Sequence, residues 1–143
     1  MLKQFLFVLW LFILSATFCV LPGGQDSQAQ KAFAGTWEGK FKGKVFCVLE
    51  LETSAAISGT FSPGRISVDN DGEITEAEPS TPPGSSFPIL HPKLQNSKLS
   101  FEWKEDDDQE VLRFEMKLIG QAEAELQFVG VDNPIKPIHL HRK

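Results

Sequence analysis

The sequence has no tyrosine, only two cysteines and no excess of basic residues. Its 14 lysines and arginines are outnumbered by 19 aspartates and glutamates, which leaves a net charge of −5. An acidic chain with scattered lysines offers no surface suited to a phosphate backbone, so we predict no nucleic-acid partner. Binding to an anionic membrane surface is disfavoured for the same reason.

The sequence also lacks the short motifs that mark common catalytic sites. It contains no serine on a nucleophile elbow, no glycine-rich phosphate loop and no cysteine–histidine spacing typical of nucleophilic catalysis. Nothing in the pattern therefore supports an enzyme. We predict a protein that is not an enzyme and that carries no cofactor.

Residues 1–29 are predicted to be a cleavable signal peptide. Lys3 is followed by an almost unbroken apolar run of about 17 residues, from position 5 to position 21, and then by a polar segment, which is the order found in signal peptides. Ser27 and Ala29 place small residues where signal peptidase reads, so we expect cleavage after Ala29 and a secreted or periplasmic protein. The alternative is an uncleaved membrane anchor, since a run of this length lies at the lower edge of what spans a bilayer.

Cleavage would leave residues 30–143 as a single domain with one cysteine. Cys19 would leave with the signal peptide, so no disulfide can form within the mature chain. Cys47 occupies an apolar position of an alternating run over 45–51. We therefore predict a buried core thiol rather than a reactive one.

From Trp37 onward, apolar and polar residues alternate in short runs separated by turn residues. A period of two is typical of antiparallel strands with one dry face. The alternation is clearest over 99–104, 112–118 and 122–128, and a last strand is predicted over 135–142. About eight to ten strands without a helix-period segment predict an all-β protein, a small antiparallel up-and-down barrel.

Three segments interrupt this pattern. Pro79–Ser86 is predicted to be a loop, either a plain connector or a flap over the barrel mouth. Asp106–Asp108 is predicted to be the tip of a hairpin. Ser67–Glu78 partly matches a calcium-binding loop, but it lacks the first aspartate and is flanked by prolines rather than helices, so we predict a hairpin turn there.

The histidines give a weak indication of a metal site. His139 and His141 lie two residues apart in the last predicted strand and therefore share a face, the spacing that metal sites on β-sheets use. Two ligands are too few, and the sequence ties no acid or cysteine to the remaining histidine, His91. We therefore predict no metal site, with His139 and His141 as weak candidates on a solvated outer face.

Gly35-Thr36-Trp37 resembles the first-strand glycine-x-tryptophan signature of the calycin barrels, which comprise lipocalins, fatty-acid-binding proteins and avidins. The segment 56–61 is similar to the avidin strand that carries a glycine-threonine-aromatic step. Avidins, however, hold biotin with an asparagine after the first-strand tryptophan and with tyrosine. This chain has Glu38-Gly39 at that place and no tyrosine, so biotin binding is not expected.

The resemblance implies a barrel with a possible ligand cavity. The candidate lining residues are aromatic: Trp37, Phe61, Phe101, Trp103 and Phe114. In calycin barrels an arginine or lysine from late in the fold typically covers the first-strand tryptophan. This implies that Arg142 lies near the Trp37 ring, with Lys136 as the fallback. The alternative is that Arg142 and Lys143 form a frayed tail.

Three functions remain open from the sequence. The first is a secreted, non-enzymatic barrel that binds a small apolar or amphipathic ligand. The second is a compact protein-interaction module with a filled core. The third and weakest is a metal-dependent enzyme that uses His139 and His141. The sequence does not indicate an oligomeric state.

Overall fold

The fold is taken from a computed structural model that describes residues 23–80, 86–105 and 109–143. Within these residues, eleven strands and one short helix follow one another along the chain. Nine of the strands form one antiparallel sheet that nearly closes into a barrel, in the order β6-β3-β2-β1-β11-β10-β9-β8-β7. The predicted all-β barrel of eight to ten strands is therefore confirmed.

The bounds of the elements follow the turn residues of the sequence. The first half of the chain contains α1 (Gly23–Lys31), β1 (Gly35–Phe41), β2 (Lys44–Glu52), β3 (Ser58–Ser62), β4 (Arg65–Val68) and β5 (Ile74–Glu78). The second half contains β6 (Phe87–Pro88), β7 (Leu90–Gln95), β8 (Lys98–Trp103), β9 (Leu112–Leu118), β10 (Glu123–Val129) and β11 (Ile138–Arg142). The last strand thus begins three residues later than the predicted start at Ile135.

The barrel nearly closes because its two edge strands are consecutive in the chain. β6 pairs with β3, and β7 pairs with β8 on the opposite edge of the same sheet. Ile89 alone separates them, and its N–H still donates to the Gly59 carbonyl of β3 at 3.0 Å. A single stretch of chain therefore crosses from one edge to the other, as an up-and-down barrel requires.

Gly39 allows three strands to approach closely. It lies in β1 opposite Cys47 of β2 and Leu140 of β11. A Cβ at this position would lie 2.5 Å from the Cys47 sulfur and 3.2 Å from a methyl carbon of Ile138. Glycine is therefore required here for the close packing of the strands.

The second sheet is the β4–β5 hairpin, which leaves the barrel after β3. Its Ile66, Ile74 and Ala77 pack against the core, and β5 contacts β2. Phe46 of β2 is only 3% exposed although the next residue, Cys47, is also buried. We infer that the hairpin covers the outer side of β2 at this point.

Among the described residues, no polar or charged residue is buried. Side chains that alternate inward from the barrel strands form one buried cluster, which includes Leu49, Phe61, Leu99, Met116, Leu126 and Leu140. The outward positions of β8 to β10 carry charged and polar residues, as the alternation predicted. Cys47 is 1% exposed and free, which confirms the predicted buried thiol.

The N-terminal helix spans the predicted cleavage point after Ala29. The apolar run over 5–21, which carries the signal-peptide and anchor hypotheses, lies outside the described residues. Within the described residues, no helix has both the length and the apolar character needed to cross a bilayer. The predicted Asp106–Asp108 hairpin tip and the central part of the predicted flap, residues 81–85, also lie outside the described residues.

Candidate functional site

One end of the barrel is closed around Trp37, which is fully buried. Its indole N–H donates to the Phe33 carbonyl at 2.9 Å. β11 lies beside β1 so that Arg142 is the register partner of Trp37, and the guanidinium carbon lies 4.5 Å from the centroid of the ring. The predicted proximity of Arg142 to Trp37 is therefore observed.

Backbone contacts hold Arg142 and the end of the chain in place. An Nη2 hydrogen of Arg142 is donated to the Ala32 carbonyl. The Arg142 N–H donates to the Ala122 carbonyl at 2.8 Å, and the Lys143 N–H donates to the Thr36 carbonyl at 2.9 Å. The frayed-tail alternative is therefore wrong for these two residues. Lys136, the fallback partner, instead forms an ion pair with Glu73.

The centre of the barrel is filled by aromatic rings. Phe61 lies edge-on to Phe114 and to Phe101, with centroid distances of 5.0 and 5.7 Å. Phe101 and Phe114 stack at 5.4 Å. The structure thus brings these three candidate cavity residues together, but as ring-to-ring contacts that fill the space between them.

The opposite end of the barrel is open at a cleft of about 270 Å³. Trp103, at the end of β8, reaches this cleft, and its ring lies 6.2 Å from Phe61 and 6.1 Å from Phe87. Further lining residues are Arg65, Ile66, Ser80, Glu105, Leu112 and Phe128. The Trp103 indole nitrogen is buried and has no hydrogen-bond partner within the described part of the chain.

The calcium-like segment forms a hairpin turn, as predicted. Asp69 accepts the backbone N–H groups of Asp71 and Glu73 on one carboxylate oxygen, at 2.9 and 3.0 Å. Gly72 accepts the backbone N–H of Lys136 at 3.0 Å, and the hydrogen bond from Lys136 to Glu73 raises the pKa of the lysine. The turn therefore joins the β4–β5 hairpin to the connection before β11.

The outer face of β10 and β11 brings a third group to the paired histidines. Glu123 is the register partner of His141. Its two carboxylate oxygens lie 3.8 Å from His139 Nε2 and 4.0 Å from His141 Nδ1. Sequence reasoning missed Glu123 because it lies 16 and 18 positions before the histidines. The alternation over 122–128 does place Glu123 on the outward face of its strand, and this was the signal that the sequence offered.

His91 lies apart from this group. Its Nδ1 is 3.0 Å from a carboxylate oxygen of Glu102, whose other oxygen is 3.4 Å from Arg113. This arrangement joins β7, β8 and β9. It gives the third histidine a carboxylate partner that the sequence did not indicate.

Burial determines the chemistry of the one thiol in the barrel. Desolvation raises the pKa of Cys47 to about 12, and a hydrogen bond with the Gly39 backbone opposes the shift only in part. The thiolate is the nucleophilic and metal-binding form of cysteine. The chemistry expected of Cys47 at neutral pH is therefore that of an inert, packed side chain.

No protein-family description, curated protein or solved structure matches this chain.

Proposed function

We propose that the protein is a non-enzymatic binding barrel that takes a small amphipathic ligand at its open end. The observation that supports this is the Trp103 indole N–H, which is buried beside the cleft without an acceptor among the described residues. A buried donor without a partner costs about 1–3 kcal/mol. A ligand oxygen bound in the cleft would remove that cost.

The lining of the cleft indicates the class of ligand. Its volume of about 270 Å³ is near the small end of protein ligand sites. Phe87, Leu112 and Phe128 offer apolar surface, while Arg65 and Glu105 supply one positive and one negative charge. A short carboxylic acid fits these groups, with an oxygen at the Trp103 N–H and the alkyl chain along the apolar side chains.

We also propose that the barrel is of the calycin type and that it acts outside the cytoplasm. The position of Arg142 over the first-strand tryptophan supports the fold assignment. The proposed location depends on cleavage after Ala29. We expect no binding to nucleic acid or to biotin. We expect association with a membrane only if residues 1–29 are retained.

Titration with octanoate tests the binding proposal on ¹⁵N-labelled protein recovered from cells that express the full chain. We expect a saturable shift of the Trp103 indole N–H resonance and little change at Trp37, whose N–H is already bonded. Trp103→Phe should abolish the binding. The control Arg113→Gln removes an arginine that is absent from the cleft lining and should leave binding unchanged. An unmoved Trp103 resonance would contradict the proposal.

A second candidate is the filled-core interaction module. The close packing of Phe61, Phe101 and Phe114 favours it, because no hollow remains between these rings. Native mass spectrometry of protein from its own host separates the two functions. A co-purifying small mass supports the binding barrel, whereas a bare chain that stays bare after octanoate treatment supports the module.

A further inference from the structure

Two imidazoles and one carboxylate lie close together on the outer surface of the barrel, and none of the three residues lines the open-end cleft. His139 and His141 point outward from β11, and Glu123 points outward from β10 directly opposite His141. One ligand atom from each of the three residues lies within 4.8 Å of the others. The cluster is thus built from two strands and not from one run of sequence.

The spacing suits one small metal ion after minor rotation of the side chains. Nitrogen and oxygen ligands around a tetrahedral zinc ion lie about 2.0–2.2 Å from the metal, which places them roughly 3.3 Å apart. The Glu123 oxygens are already 3.8 and 4.0 Å from the two imidazole nitrogens. The side chains are about half exposed, so they can rotate without disturbing the core.

Backbone pairing holds the three ligands in this arrangement. His139 and His141 lie two positions apart, which keeps both on one face of the strand. β11 is paired on both sides, with β10 and with β1, so it is an interior strand of the sheet. The Cα positions of the three residues are therefore set before any metal arrives.

The neighbouring charges favour a cation. Glu38 of β1 is the other register partner of His141, and Glu125 of β10 is the register partner of His139. Lys143 lies 3.6 Å from Glu38 and offsets part of this charge. Three glutamates are therefore register partners of the two histidines, against two lysines, Lys143 beside Glu38 and Lys117 opposite Glu125.

We propose that Glu123, His139 and His141 bind one divalent transition-metal ion on the outer face of β10 and β11. Imidazole with carboxylate suits zinc, copper or nickel rather than calcium or magnesium, which prefer oxygen ligands. Three protein ligands leave a coordination position for water or for a group from a partner. The site is exposed, so the proposal is for binding and does not include catalysis.

Zinc titration of the full-chain protein, prepared without a histidine tag, tests the site. Isothermal calorimetry should give one Zn²⁺ per chain. His139→Gln and His141→Gln should each weaken binding by at least about tenfold, since even changes to groups that only orient a ligand cost 10–100-fold. Glu123→Gln should also weaken zinc binding, and the neighbouring Glu125→Gln should weaken it less.

His91→Gln is the matched control, because His91 is also exposed and also lies beside a glutamate. Zinc affinity should be unchanged in this variant. Unchanged unfolding midpoints in the five variants would show that the barrel is intact. No saturable zinc binding to the unmodified protein would overturn the proposal, as would equal losses in the His91 and His141 variants.

Discussion

The two tryptophans of the barrel lie at opposite ends and differ in every polar contact. Trp37 donates to the Phe33 carbonyl and is covered by Arg142. Trp103 is buried almost as deeply, but its N–H has no partner in the described chain. Trp37 therefore helps to close its end of the barrel, whereas Trp103 presents a hydrogen-bond donor that no described residue satisfies.

The difference follows from the connections at each end. At the Trp37 end the chain passes through 30–34 just before β1, and the last residues of β11 return beside it. Carbonyl groups and a guanidinium are thereby brought to the indole. At the Trp103 end the cleft is lined by apolar side chains together with Arg65, Ser80 and Glu105, and none of the described residues accepts the indole N–H. We therefore expect stability to depend more on the first end and ligand binding on the second.

The largest expected effect is from truncation of the two tryptophans. Trp37→Ala should lower the free energy of unfolding by about 3–5 kcal/mol, as large core truncations do. Trp103→Ala should cost about 1–3 kcal/mol less, because no hydrogen bond is lost and no acceptor is left unpaired. Urea unfolding of both variants measures the difference. Equal losses would remove the distinction between the two ends.

Gly39→Ala tests whether close strand approach supports the closed end. The added methyl group would meet the Cys47 sulfur at 2.5 Å, so the Cys47 side chain or one of the strands must shift. We expect a loss of about 1–3 kcal/mol, typical of overpacking. Gly120→Ala is the control, since its nearest contact is an ordinary 4.0 Å. A tolerated alanine at position 39 would show that the three strands have room to separate.

Arg142→Met tests the cover over Trp37. The variant keeps much of the side-chain length but loses the cation over the ring and the hydrogen bond to Ala32. The expected cost is about 1–2 kcal/mol. Arg113→Met removes an exposed arginine from an ion pair and should change stability by less than about 0.5 kcal/mol. Similar unfolding midpoints for the two variants would mean that Arg142 covers nothing of energetic importance.

The smallest expected effect is the pH dependence contributed by Cys47, which reports on the dry interior between the two ends. The folded thiol keeps its proton up to about pH 12, whereas the unfolded thiol loses it above its ordinary pKa of 9.0. The folded state therefore binds more protons between these values, and stability falls as pH rises. The slope approaches about 1.4 kcal/mol per pH unit at most.

Urea unfolding at pH 8, 9 and 10 measures this slope, and Cys47→Ala provides the reference. The alanine variant should be less stable at every pH but should show a shallower decline above pH 9. The absence of tyrosine removes one other group that would titrate in this range. Parallel declines would mean that the thiol is solvated in the folded protein.

Much of the barrel could be predicted because the patterns that specify its strands and turns lie within short stretches of sequence. Alternation with a period of two set the inward face of β8, β9 and β10, and the Asp69 turn followed from residues within five positions of each other. The resemblance at Gly35-Thr36-Trp37 gave the position of Arg142. The helix α1 was not predicted, since the sequence was interpreted there as the end of a signal peptide.

Alternation along the chain was enough to predict β2, β8, β9 and β10, their buried faces and the burial of Cys47, because each depends on neighbouring residues. Which residues meet across strands depends on the folded barrel. The register of β10 against β11 follows a long connection over 130–137 rather than a tight turn, so no local signal placed Glu123 beside His139 and His141. The packing of Phe61 against Phe101 and Phe114 likewise depends on contacts between distant strands. The same is true of the Trp103 N–H, which has no acceptor among the described residues.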